Sequence, residues 1–278
     1  MAGALDLTGR VVLVTGGARG VGRGIAARFL EAGATVVICG RRVPADVPVV
    51  DRRSATFVET DVRDDASVER LVATIKEREG RLDVVVNNAG GSPPADTATA
   101  SARFSTAVVT LNLLAPLFVA QRANAVMQAQ TDGGSIINIA SVSGTRPSPT
   151  TAAYGAAKAG LLNLTQTLAV EWAPRVRVNA VTVGVVETEQ AHLFYGDAAG
   201  VAAVGATVPL GRMAGPADIG DACLLLASPL ARYVSGANLL VHGGGERPAY
   251  LEASTGEVAA SGRVAGDQRA ERPAGAGS

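Results

Sequence analysis

Lysine is almost missing from this 278-residue chain. Lys76 and Lys158 are its only two, and the other basic positions among its 25 Lys and Arg residues are arginines. They balance 25 acidic residues to a net charge of zero. No basic block stands out, so the electrostatic footprint of a nucleic-acid binder is not there. Cysteine is nearly as scarce. Cys39 and Cys223 lie in apolar stretches without metal-ligand spacing, which excludes a disulfide framework and suits buried free thiols of a cytoplasmic protein. The first ten residues hold no basic segment followed by an apolar core, so no signal peptide is expected. Long hydrophobic runs are lacking too. The longest, Ala107 to Ala120, is interrupted by Thr110, Asn112 and Pro116 and falls short of the roughly 20 residues of a membrane span.

Hydrophobic residues make up 47% of the chain, ample for a core, and doubly wound α/β folds reach this length unsplit. Short β-branched runs alternate with helical periodicity. Strands are expected at Val11–Val14, Thr35–Cys39, Thr56–Thr60, Leu82–Val86, Ser135–Ala140, Val176–Val181 and Asn238–Val241. Helices follow residues 20, 64 and 216 and fill the stretches around Asn112 and after Tyr154. Such alternation predicts a single Rossmann-type doubly wound parallel sheet of about seven strands with helices on both faces. Residues 1–245 would form that domain. Residues 246–278 are rich in Gly, Ala, Pro and Arg without periodicity and are expected to be largely disordered. The region from Thr182 to Ala214 reads as irregular.

Val11–Val14 runs directly into Thr15-Gly16-Gly17-Ala18-Arg19-Gly20-Val21-Gly22, and helical spacing resumes at Ile25. Strand, glycine loop and helix are the context of a phosphate cradle. Glycines admit close approach of a pyrophosphate, and the helix N-terminus offers free N–H groups. The second strand ends in Gly40-Arg41-Arg42. An acidic residue there would bind a ribose 2′-hydroxyl, whereas arginine accommodates a 2′-phosphate. With Arg19 in the glycine loop able to reach the same group, NADP(H) is favoured over NAD(H).

Tyr154 and Lys158 lie four residues apart at the head of a helical stretch, hence on one face. An ammonium beside a phenol favours the phenolate, so a depressed Tyr154 pKa and a general-acid role are expected. Lys76 lies in a charged helix tail, where solubility accounts for it. Ser141 stands at the C-terminal end of the fifth strand, where open parallel sheets bind ligands. Asn112, in the middle of a helical stretch, must have partners for its amide; it either knits two helices together or holds a water. The sequon Asn163-Leu-Thr165 falls inside the Tyr154 helix and is discounted.

Taken together these motifs resemble the short-chain dehydrogenases/reductases, over roughly Leu7 to Gly244, with the 3-oxoacyl reductases as a similar subgroup. The resemblance implies a cofactor loop at Gly16, Gly20 and Gly22 with Arg19 and Val21, and an adenine-contacting Asp61 followed by Val62. It implies Asn88, Ala89 and Gly90 behind the nicotinamide, and Asn112, Ser141, Tyr154 and Lys158 as the catalytic tetrad. Ser141 would hold a substrate carbonyl, Tyr154 would donate its proton, and Lys158 would bind the nicotinamide ribose. Asn112 would hold a water linking Lys158 to solvent. Gly184, Val186 and Thr188 match positions that touch the carboxamide and phosphates. Two positions depart from the family: Val183 replaces the usual proline before Gly184, and His242 replaces the usual aspartate before the last glycines.

The implied activity is NADP(H)-dependent interconversion of a ketone, or a 3-oxoacyl thioester, and a secondary alcohol, by a homotetramer or homodimer. A catalytically silent cofactor-binding protein on the same fold is the alternative. The substrate pocket is expected among Gly144–Pro147, Pro93–Pro94 and a lid from Glu187 to Ala206, whose His192-Leu193-Phe194-Tyr195 is apolar and aromatic. Arg146 there would meet an anionic group or face solvent. An acidic carrier protein is disfavoured, because Met127–Gly134 contains no basic residue and only Arg175 and Arg177 follow.

Overall fold

The structure is a computed structural model that describes residues 2–250, and every element named below lies within them. They follow in the order β1 (Val11–Thr15), α1 (Gly20–Glu31), β2 (Thr35–Gly40), β3 (Val49–Val50), β4 (Arg53–Ser54), β5 (Thr56–Glu59), α2 (Asp65–Glu79), β6 (Val84–Asn87), α3 (Ala102–Val109) and α4 (Ala115–Gln128). Next come β7 (Gly134–Ser141), α5 (Ala152–Glu171), β8 (Val176–Val183), α6 (His192–Tyr195), α7 (Ala198–Thr207), α8 (Pro216–Ala227) and β9 (Asn238–Val241). Of the expected tail, residues 251–278 lie outside the described residues.

Seven strands form one sheet in the order β5-β2-β1-β6-β7-β8-β9, with every neighbouring pair parallel. The chain leaves β1 toward one edge and returns across it to β6, so the topological switch lies between β1 and β6. The strands read as continuous apolar runs because both sheet faces are covered. The two-residue side-chain period divides each strand between two cores. Val12, Val14, Val36, Ile38, Val86 and Ile137 pack on one face with Ile25 and Phe29 of α1 and Ile219 and Cys223 of α8. Val11, Leu13, Val37, Val85 and Ile136 pack on the other, with Val68 and Leu71 of α2, Val119 and Ala123 of α4 and Leu168 of α5. Truncating Phe29, fully buried, to alanine costs about 3–5 kcal/mol.

Three departures from the sequence expectations matter. A two-residue hairpin, β3–β4, follows β2, turning through Asp51 and Arg52 at φ 46° and 68°. The region between Thr182 and Ala214, irregular by its sequence, holds the end of β8 and the helices α6 and α7. Finally, α3, a π turn at Thr110–Leu114 and α4 run on as one helix from Ala102 to Gln128. By length and composition that helix could cross a membrane, a length the interrupted apolar run does not suggest. In this fold Val119, Ala120, Ala123 and Met127 pack it against the sheet. Both cysteines are fully buried and free, and burial pushes the Cys39 thiol up to about 12, which keeps it protonated and unreactive.

Candidate active site

The site is built at the C-terminal ends of β1, β6 and β7. Gly16 and Gly20 take left-handed φ values of 66° and 53°, which side chains resist. At Gly22 a Cβ would stand 2.4 Å from the Gly16 carbonyl oxygen and 2.5 Å from Asn88 Nδ2, so the first turn of α1 closes onto the loop only without one. Thr15 laces this turn to the next strand. Its Oγ1 accepts the backbone N–H groups of Asn88 and Ala89, both at 2.9 Å, and Asn88 Nδ2 donates to the Thr15 carbonyl at 2.9 Å. Val21 packs against the apolar core beneath the turn.

Arg19 is the N-cap of α1 and offers no side-chain cap, and the first turn of the helix has no acidic residue. The Gly20 N–H donates instead to Glu189 Oε1 at 2.8 Å, from the segment after β8. At the far end of the cleft Arg41 and Arg42 are exposed just beyond β2. Arg63 holds Asp61 through Nε and Nη2 at 2.9 and 2.6 Å. That guanidinium keeps the Asp61 carboxyl below the usual carboxylate range, against the opposing effect of burial and with a smaller contribution from Arg41. Val62 is buried below it.

Ser141 is the last residue of β7, and a short 3₁₀ turn at Val142–Gly144 follows. Helix α5 packs directly on this turn. A Cβ at Gly144 would lie 2.8 Å from the Ala159 nitrogen, and one at Gly155 would lie 2.8 Å from the Ser143 carbonyl oxygen. Tyr154 is thereby brought near enough to Ser141 for the serine hydroxyl to act on its phenol. Burial raises the Tyr154 pKa above its ordinary value, and the neighbouring Ser141 hydroxyl opposes the rise only in part. The expected depression by Lys158 is not what the structure gives. Lys158 Nζ, 3% exposed as a residue, donates to the Ile139 carbonyl at 2.7 Å and stands 5.7 Å from the centre of the Tyr154 ring. Burial drops its own pKa to about 8. Sharing one helical face sets the spacing of the two groups; desolvation of both decides the sign of the shift.

Gly90 brings the third strand end into the cluster, since a Cβ there would lie 2.7 Å from Asn112 Oδ1 and 3.4 Å from Lys158 Nζ. Asn112, fully buried in the π turn, does not knit two helices together. Its Nδ2 donates to the Gly91 and Val108 carbonyls and its Oδ1 accepts the Gly91 N–H, all at 2.9 Å. It fastens the loop after β6 to its own helix from within the π turn.

Gly184 lies under His242, and a Cβ there would be 2.8 Å from the histidine Cβ. Val186 bridges Ala214, and Thr188 lies beside Gly20, its Cγ2 3.7 Å from where a Gly20 Cβ would be. The Pro93–Pro94 loop is held to the loop after Ser141 by Ala95 N–H donating to the Thr150 carbonyl at 2.8 Å. Arg146 is exposed and meets an anionic group of the chain itself: it pairs with Glu246 and donates to the Pro147 carbonyl at 2.8 Å. Among the described residues, no group of three or more His, Cys, Asp or Glu side chains stands close enough to hold a metal ion.

A family model described as enoyl-(acyl carrier protein) reductase matches residues 16–246. The chain belongs to the short-chain dehydrogenase/reductase family. It is 33% identical over 243 residues to the 3-oxoacyl-(acyl-carrier-protein) reductase FabG of Vibrio harveyi, covering 86% of this chain and 98% of that one. It is 36% identical over 258 residues to the L-fucose dehydrogenase of Oryctolagus cuniculus, covering 88% of each. The structure of the Pseudomonas aeruginosa RhlG/NADP active-site complex superposes with a TM-score of 0.79 at 29% identity, over 88% of this chain and 99% of that one. Short-chain dehydrogenases/reductases are oxidoreductases that bind a nicotinamide cofactor, and this chain shares that coarse chemistry with its relatives.

Two residues of the site are not evident from the sequence. Thr15 reads there only as the start of the glycine motif, although a threonine ending a buried strand signals a hydroxyl turned toward the neighbouring strand. Glu189 carries no signal at all, being 169 positions from its partner.

Proposed function

We propose that this short-chain dehydrogenase/reductase is an NADP(H)-dependent enzyme interconverting a ketone, or a 3-oxoacyl thioester, and a secondary alcohol, with Tyr154 as general acid and base. The observation that carries the reading is the meeting of Ser141, Tyr154, Lys158, Gly90 and Asn112 at strand ends beside the glycine turn. The cradle suits a dinucleotide: glycines where a Cβ would collide, and an α1 N-terminus whose own sequence leaves its N–H groups uncapped. Gly16, Arg19, Gly20, Val21 and Gly22 would hold the pyrophosphate, and Asp61 with Val62 the adenine. Asn88, Ala89, Gly90, Gly184, Val186 and Thr188 would line the nicotinamide side. Arg41 makes no hydrogen bond or ion pair among the described residues and adjoins Asp61, which suits a 2′-phosphate.

A bound nicotinamide supplies or takes the hydride. Ser141 orients the substrate oxygen. Tyr154, kept as a neutral phenol by burial, holds the proton at the atom where the oxygen needs it. Lys158 would bind the ribose hydroxyls, and its charge would lower the cost of a transient phenolate. Asn112 Oδ1 accepts one N–H, from Gly91, and so has a lone pair to spare for a water that would return the proton to Lys158.

The exposed Leu193 and Phe194 on α6 support an apolar substrate. A free ketone or CoA thioester is favoured over a carrier protein, since Arg175 and Arg177 spend donors on the backbone carbonyls of Gln130, Leu226 and Val234. The exposed Leu240 on edge strand β9 supports a homotetramer or homodimer, which light scattering tests. The decisive assay is NADPH consumption over a panel of ketones, acyl-CoA thioesters and, given the fucose-oxidising relative, sugars, with Tyr154→Phe as control. If wild type and variant both bind NADPH and both stay idle, a silent cofactor-binding protein replaces this reading.

A further inference from the structure

We propose that Glu189 is a built-in anion that occupies the pyrophosphate seat and straps the segment after β8 across the cofactor cleft until a dinucleotide displaces it. The inference rests on the reading of the glycine turn as that seat. The first turn of α1 leaves backbone N–H groups without intrahelical partners, and neither the Arg19 side chain nor any acidic residue of that turn supplies one. The partner comes from far along the chain: Glu189 Oε1 accepts the Gly20 N–H at 2.8 Å.

The strap is fastened where it leaves β8. Residues 185–187 are fastened to Ala214, whose N–H donates to the Val185 carbonyl at 3.1 Å and whose carbonyl accepts the Glu187 N–H at 2.9 Å. The fastening ends there, and the next two residues reach α1. Thr188 packs beside Gly20, and Glu189 caps it. A carboxylate and a phosphate oxygen cannot accept the same N–H in the same space, and their like charges repel. Cofactor binding must therefore break this contact, and the affinity measured is lowered by the fraction of molecules in which it is closed.

Calorimetric titration of the full chain with NADPH tests this in wild type, Glu189→Gln and Glu189→Ala. Both variants are expected to bind about fivefold more tightly, the factor typical of one anion at a helix N-terminus. Limited proteolysis of the cofactor-free proteins should cut between residues 188 and 206 faster in both variants than in wild type. If wild type binds NADPH and the variants bind no tighter, the proposal falls alone. Unchanged cleavage rates would remove the strap. If neither wild type nor variants bind NADPH or NADH, the seat itself is wrong and the proposal falls with it.

Discussion

Lys158 Nζ donates to the backbone carbonyl of Ile139 at 2.7 Å, turning the one buried lysine of the chain toward strand β7 rather than to the phenol one helical turn before it. A backbone carbonyl is a dipole, not a counter-charge, so the ammonium is desolvated without an ionic partner and its pKa falls to about 8. Tyr154 is raised for the same reason. The site thus holds a neutral phenol beside an ammonium whose pKa has fallen to about 8.

The first prediction concerns catalytic pH dependence. Below about pH 8 Lys158 carries its proton and above it the charge is lost. If that charge holds the ribose and eases proton release from Tyr154, kcat/KM for NADPH is level from about pH 6 to 7.5. It then falls up to about tenfold per unit once Lys158 deprotonates, since this parameter reports the free enzyme. Initial rates of ketone reduction from about pH 6 to 10 measure it. A level profile throughout would detach Lys158 from the step.

The second concerns stability. A lysine that titrates near 8 in the fold and at about 10.4 in the unfolded chain binds more protons when unfolded across that window. Stability contributed by this group therefore rises with pH from about 8 to 10 and is lowest below 8. Lys158→Met removes the buried charge but strands the Ile139 carbonyl. The net expectation at about pH 7 is a variant more stable than wild type by about 2 kcal/mol yet without activity. The gap should close by about pH 10. Urea unfolding at both pH values checks it, and a variant less stable than wild type at the lower one would show that the charge is not buried at a cost.

How far the sequence could lead is seen in the contrast between β1 and Asn112. Val11–Thr15 is legible because both faces of the sheet are covered and every residue of the strand is buried. The glycine loop is legible because close approach demands glycine. The π turn around Asn112 is not, since one extra residue per turn leaves the apolar pattern of Leu111, Leu113 and Leu114 intact. Helix α7, Ala198–Thr207, is Ala- and Gly-rich without a polar face, so periodicity could not reveal it. The pair Tyr154 and Lys158 is legible as geometry and misleading as electrostatics. Spacing shows which groups share a face and says nothing of the solvent each has lost. Glu189 and Gly20 meet only through the tertiary fold.

The third prediction separates the two nicotinamide cofactors. Arg41, exposed past the end of β2 and near enough to Asp61 to lower its pKa, has no partner of its own among the described residues. A charge-assisted contact to a 2′-phosphate is worth roughly 1.5–3 kcal/mol. Arg41→Ala should weaken NADPH binding by about tenfold or more and leave NADH within about twofold. Equal losses for both cofactors in titration calorimetry would reverse the NADP(H) assignment.

The last prediction tests the lacing of the cleft. Thr15 Oγ1 receives the N–H groups of both Asn88 and Ala89, and it is 2% exposed, so water does not readily replace it. Thr15→Val keeps the shape and removes the acceptor, leaving the Ala89 N–H unpaired at about 1–3 kcal/mol and the Asn88 N–H with only the Val86 carbonyl at 3.0 Å. Thr15→Ser keeps the oxygen and loses only a methyl group. The valine variant should therefore unfold at lower urea and bind NADPH more weakly, because the Asn88–Gly90 side of the cleft is no longer registered against the glycine turn. The serine variant should recover most of the affinity while still missing part of the packing. If valine lowers stability but leaves cofactor affinity at the wild-type value, Thr15 supports the sheet alone and the two strand ends are positioned by other contacts.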